Sequence, residues 1–89
     1  MRSAIDIYVI DKVREKREAA DMSQEQLSEK AGFNSNGFVG QAESPKYSKR
    51  YNVQHLNKFA VIFNCSPKDF LPEVAFVESA PHSTEQNPA

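Results

Sequence analysis

The sequence predicts an all-α, compact five-helix domain with a short C-terminal tail, and three observations predict it. Apolar residues recur at i, i+3, i+4 and i+7 in segments of helical length, as in Leu56, Phe59, Ala60 and Phe63. Helix-start residues and left-handed stop residues punctuate these segments: Ser23, Asn52 and Ser66-Pro67 at starts, Gly32 and Asn64 at stops. No segment before residue 72 asks to be a strand.

The first helix is expected over residues 4–20. Its Ile5, Ile7, Tyr8 and Ile10 exceed what its own core needs, so some of them form either a dimer seam or an extension folded back on the domain. The second helix is expected over 24–31, where Ser23 caps by accepting from the amide near Gln26 and Gln26 reaches back to the Ser23 amide. Leu27 and Ala31 face inward, while Gln24, Glu25, Ser28 and Glu29 face water. Gly32 supplies the left-handed residue that ends it.

The third helix is expected over 36–43, capped by Asn34 or Ser35. Val39, Ala42 and Phe38 turn inward, and Asn36, Gly37, Gly40 and Gln41 turn outward. The fourth spans 53–63 behind Asn52 and stops at Asn64. The fifth spans 67–71, with Ser66 as cap, Pro67 in the first helical position and Pro72 ending it. Residues 1–72 thus make the domain and 73–89 the tail. In the tail, 74–78 is a short strand or a partner contact, and 79–89, rich in Ser, Pro, Asn and Gln, has the composition of a disordered segment.

Eighty-nine residues with 39% hydrophobic content bury one modest core and leave no room for a second. A single cysteine, Cys65, rules out an intrachain disulfide and zinc-ligand spacing, and is expected as a small buried thiol at a helix corner. The apolar N-terminus is broken by Asp6 and Asp11, too short and too charged for a signal or membrane segment, so a reduced cytoplasmic protein is expected. Neither a Ser-His-Asp nor a Cys-His set, a glycine-rich phosphate loop or a metal cluster is legible, so the expectation is no enzyme, no cofactor and no metal. His55 is expected as a solvated residue on the outer side of the fourth helix.

Net charge is −1, yet its distribution is uneven. Lys12, Arg14, Lys16 and Arg17 crowd the first helix, and Lys46, Lys49 and Arg50 crowd the loop after the third, interleaved with Tyr47 and Tyr51. The loop is the more specific signal because it flanks the polar outer face of residues 35–41.

Two short helices joined by a glycine turn, in Met22 to Phe33 and Val39 to Glu43, carry a resemblance. Together with Val13 to Arg17 and Phe59 to Leu71 they resemble the Cro/lambda-repressor-like helix-turn-helix family, the XRE family of DNA-binding regulators, over roughly residues 13–71. The resemblance implies a lambda-repressor-like fold, a structural ion pair between Arg17 and Glu43, and a Gln24 that approaches the DNA backbone. The chain departs from the family in a turn one residue longer between Gly32 and Glu43, and in Ser44-Pro45 where a glycine is usual.

The function expected from these observations is a sequence-specific DNA-binding transcriptional regulator, its third helix in the major groove of double-stranded DNA and its second across the backbone. Asn36 and Gln41 are the candidate base readers, their carboxamides matching adenine, with Gly37 and Gly40 permitting close approach. Gln24, Ser35, Lys46, Lys49 and Arg50 are the candidate phosphate contacts. A homodimer on a palindromic operator is the expected assembly. The alternative is a protein-interaction or antitoxin-like module on the same fold, with Val74–Val77 ordering on a partner.

Overall fold

Four α-helices and a terminal 3-10 turn account for the regular structure of the computed structural model, which describes residues 2–77. They are α1 (Ala4–Ala19), α2 (Gln24–Lys30), α3 (Phe38–Glu43), α4 (Val53–Phe63) and the 3-10 helix Pro67–Phe70. The described residues contain no strand. None of their helices is long and apolar enough to cross a membrane.

Starts and stops are written locally. Ser3, Ser23, Asn52 and Ser66 each close a reciprocal box with the residue three places on, respectively Asp6, Gln26, His55 and Asp69. Gly32 ends α2 with φ +74°: its amide donates to the Glu29 carbonyl and the Phe33 amide to that of Ser28. Asn64 (φ 55°) closes α4 in the same way, with the Cys65 amide on Ala60. Asp21 (φ 55°) closes α1, its short polar side chain tolerating the left-handed region.

The core gathers Val9, Ile10 and Val13 of α1, Leu27 and Ala31 around α2, Val39 and Ala42 of α3, Leu56, Phe59 and Ala60 of α4, with Tyr51 and Phe70. Phe59 is fully buried at its centre, edge-on to Tyr51 at 4.8 Å and to Phe70 at 6.4 Å. Cys65 is partly buried against this cluster, and burial pushes its thiol up from the ordinary value.

Three expectations change, and of the two readings of residues 74–78 the strand falls away over 74–77. The fifth helix is a single 3-10 turn, because Pro67 to Phe70 leaves only four residues between Ser66 and the extended Leu71. The third helix begins at Phe38, two residues later than expected, with Gly37 at its N-cap and no capping side chain of its own; Ser35 instead accepts from the Gly37 amide. Ser28 does not face water. It is fully buried, and its hydroxyl accepts from the Val39 amide at 3.1 Å, supplying across the helix pair the cap that α3 lacks. Residues 74–77 form no strand, and Phe76 packs edge-on against Tyr8 at 5.7 Å. Ile10 joins the core, whereas Ile5 and Ile7 stay exposed. The disorder expected for 79–89 lies outside the described residues.

Candidate nucleic-acid interface

Helices α2 and α3 form the most intimate helix pair of the fold, and three polar devices set how they meet. The first is Ser28 on the Val39 amide. The second is a bidentate ion pair: Arg17 Nε donates to Glu43 Oε2 and Arg17 Nη2 to Glu43 Oε1, both at 2.9 Å. Arg17 Nη1 also donates to the Met22 carbonyl at 2.8 Å, so one guanidinium joins the end of α1, the approach to α2 and the end of α3. The Glu43 side chain is only 2% exposed, and its hydrogen bonds raise the Arg17 pKa.

The third device is Gln24. Its Nε2 donates to Glu43 Oε1 at 2.9 Å, which commits to the α1–α3 lock a side chain expected on a phosphate. Gly40 makes this possible. A Cβ there would stand 3.1 Å from Gln24 Oε1, so the close approach that Gly40 permits is to Gln24 rather than to an open outer face. Arg14 stands at the rim of the same cluster, 3.8 Å from Glu43 and half exposed.

The remaining candidates gather at the N-terminal end of α3. Asn36 and Gly37 are exposed in the turn before the helix. The Gln41 side chain reaches back toward them: its Nε2 lies 4.0 Å, and Ser35 Oγ 3.6 Å, from where a Gly37 Cβ would be. The Ser35 hydroxyl and the Gln41 carboxamide therefore gather around Gly37, with exposed Asn36 next to it in the chain, whereas Gly40 faces Gln24. Phe38 packs on Phe33 at 4.4 Å.

Lys46, Lys49 and Arg50 follow in the exposed loop. The Lys49 ammonium rides over the Phe38 ring at 5.3 Å, which ties the loop to the first residue of α3. Arg50 has an acidic neighbour that the chain order hides: Asp6 of α1, 3.6 Å from its Nη1. Burial pushes the Asp6 carboxyl up, but the Ser3 hydrogen bonds and the Arg50 charge outweigh this and hold it below the usual value.

Two residues do more than their place in the sequence suggests. His55 is not a solvated residue of α4. Its Nδ1 accepts from the Asn52 amide at 3.1 Å, and its ring stands edge-on to Phe33, Phe38 and Tyr51. Burial, then the Lys58 charge, lowers its pKa below 6.5. Arg2 belongs to no motif that would mark it as a site residue. Its Nη2 donates to the carbonyls of Ser44 at 2.9 Å and Gln41 at 3.3 Å, and its Nε donates to that of Lys49 at 3.0 Å.

Among the described residues no three His, Cys, Asp or Glu side chains stand together as a metal site would require. Compared with known proteins, the chain matches no family model, no curated sequence and no solved structure.

Proposed function

We propose that the protein is a sequence-specific DNA-binding transcriptional regulator, built on a lambda-repressor-like helix-turn-helix of the Cro and XRE type. The observation that carries this reading is the polar surface around Gly37 at the start of α3, made by Ser35 and Gln41 with exposed Asn36 beside it, held on α2 by Ser28 and on α1 by the Arg17–Glu43 lock, with Lys49 over Phe38 and the exposed basic loop following. An α-helix fits the major groove of B-DNA, and the N-terminal residues of a recognition helix are the ones that meet base edges.

In this reading Gln41 and Asn36 read adenine through N6 and N7, and Gly37 leaves room for the backbone to approach. Lys46 and Lys49 hold phosphates and fix register without reading sequence. Arg50 joins them only by giving up Asp6, and Gln24 contributes mainly by orienting Glu43. Two copies on a palindromic operator would double the few contacts that one six-residue helix makes.

The test is selection of bound fragments from random and genomic DNA, followed by mobility shifts at several salt concentrations. Enrichment of a palindromic motif is expected. Lys46→Ala with Lys49→Ala should weaken binding to all sequences alike and flatten the slope of log affinity against log salt by roughly 0.9 for each phosphate that is no longer neutralised. In the same selection, Gln41→Ala should relax preference at one base pair, worth about 1–3 kcal/mol of discrimination. Binding that stays indifferent to sequence and to these changes would move the assignment to a protein-interaction or antitoxin-like module.

A further inference from the structure

The backbone that follows α3 is tied to the N-terminus of α1 at two places, by the Arg50–Asp6 pair and, with shorter contacts, by Arg2. Arg2 stands immediately before Ser3, the N-cap of α1, so its backbone is anchored by the Ser3–Asp6 box. From there its guanidinium reaches across to three carbonyls that belong to two functional segments: Gln41 and Ser44 at the end of α3, and Lys49 in the basic loop. Both turn hydrogen bonds leaving α3 end on the carbonyls it holds, the Ser44 amide on Gln41 and the Tyr47 amide on Ser44. The arrangement suits arginine in particular. A planar fork with fixed donors can satisfy carbonyls in three residues at once, and a cation is favoured at the carbonyl end of a helix.

We propose that Arg2 is a positioning residue that sets the register between the base-reading helix α3 and the phosphate-gripping loop 46–50, and so determines specificity rather than general affinity for DNA. This rests on the DNA-binding reading given above. Phosphate contacts fix where a protein sits on the duplex, and base edges discriminate only if the reading side chains arrive in register with those contacts. Lysines on a loosened loop still grip phosphates in a range of positions. Carboxamides on α3 then meet their base edges in only a fraction of them. Loss of Arg2 therefore lowers specific binding more than non-specific binding.

The experiment compares wild type, Arg2→Met and Arg2→Lys in the 89-residue chain, measuring affinity for the selected motif and for random duplex of equal length at one salt concentration. Amide hydrogen exchange of residues 44–50 is followed in parallel without DNA. Arg2→Met should reduce the ratio of specific to non-specific affinity about tenfold or more and speed exchange in 44–50. Arg2→Lys, which can serve one carbonyl at a time, should fall between and carries the comparison should the methionine variant fail to fold. Selective binding by wild type with an unchanged ratio in the folded variants overturns the role of Arg2 alone, as does unchanged exchange in 44–50. Absence of selective binding by wild type overturns it together with the DNA-binding reading.

Discussion

Replacing Arg17 with alanine isolates the strongest polar contact of the fold. Arg17 and Glu43 are 26 residues apart in sequence and meet through two hydrogen bonds of 2.9 Å, with side chains 10% and 2% exposed. Removal of Arg17 leaves Glu43 buried with the Gln24 amide and an Arg14 guanidinium at 3.8 Å, and orphans the Met22 carbonyl as well. Breaking a buried pair from one side costs about 3–5 kcal/mol. At a urea slope near ~1.5 kcal/mol per molar, a loss of about 3 kcal/mol moves the unfolding midpoint by about 2 M. The double change Arg17→Ala with Glu43→Ala should cost less than the two single changes together by about 2–3 kcal/mol, since the second removal relieves the orphan left by the first. Urea unfolding followed by circular dichroism gives all four corners of the cycle, at about 10 °C if the single variants are marginal. Additivity within about 0.5 kcal/mol would refute the lock. Arg17→Met with Glu43→Leu should cost only about 1–3 kcal/mol, for the Met22 carbonyl left without its donor, because apolar side chains of similar volume replace the buried pair itself without its desolvation cost.

Ser28→Ala should cost about 1–3 kcal/mol in urea unfolding, since it leaves the Val39 amide without its acceptor; a change under about 0.5 kcal/mol would show that α3 does not depend on that cap. Tyr51 is buried with a hydroxyl that has no hydrogen-bond partner among the described residues, and burial, then Glu43, raises its pKa. Tyr51→Phe should therefore be neutral or stabilise by up to about 1 kcal/mol, and a loss larger than that would reveal a bond to the hydroxyl. For His55 the folded pKa lies below 6.5, so the unfolded chain takes up the proton first and stability falls as pH drops below about 6.5, levelling once the folded form also titrates. His55→Gln keeps a side chain that can close the box with Asn52 and should remove this component of the pH profile; identical profiles for the two proteins between about pH 7 and pH 5 would contradict it.

Legibility in the sequence follows the distance over which each contact acts. The bounds of α4 at 53–63 and the stops at Gly32 and Asn64 are readable because each depends on a hydrogen bond to a residue three to five places away. The start of α3 is not readable, because its cap comes from Ser28, eleven residues earlier on another helix. Ser28 itself reads as solvent-facing, since a small polar residue beside Glu29 carries no local sign of burial. His55 misleads for the same reason: Phe33 and Phe38, which enclose it, are about twenty residues away. The Arg17–Glu43 pair is reached from sequence only through a family resemblance. Asp6 beside Arg50 and Arg2 on Lys49 join positions more than forty residues apart, and nothing in the spacing announces them.

These long-range contacts share a destination. Helices shorter than about twelve residues are marginal in isolation, and α3 has six, without a capping side chain of its own. Ser28 satisfies its first turn, Arg17 and Gln24 hold its last residue through Glu43, and Arg2 binds the carbonyls at its exit. The order of α3 thus rests on side chains from α1, α2 and the N-terminus that meet its Glu43, its backbone and its buried Val39 and Ala42. That frees its outward side chains from structural duty. Gln41 contributes its carbonyl to the scaffold through Arg2, while its carboxamide is engaged by no hydrogen bond within the described residues. A surface element clamped at both ends, with a carboxamide that holds nothing of the fold together, can exchange that side chain without losing its shape, which is what the proposed reading role of α3 would require.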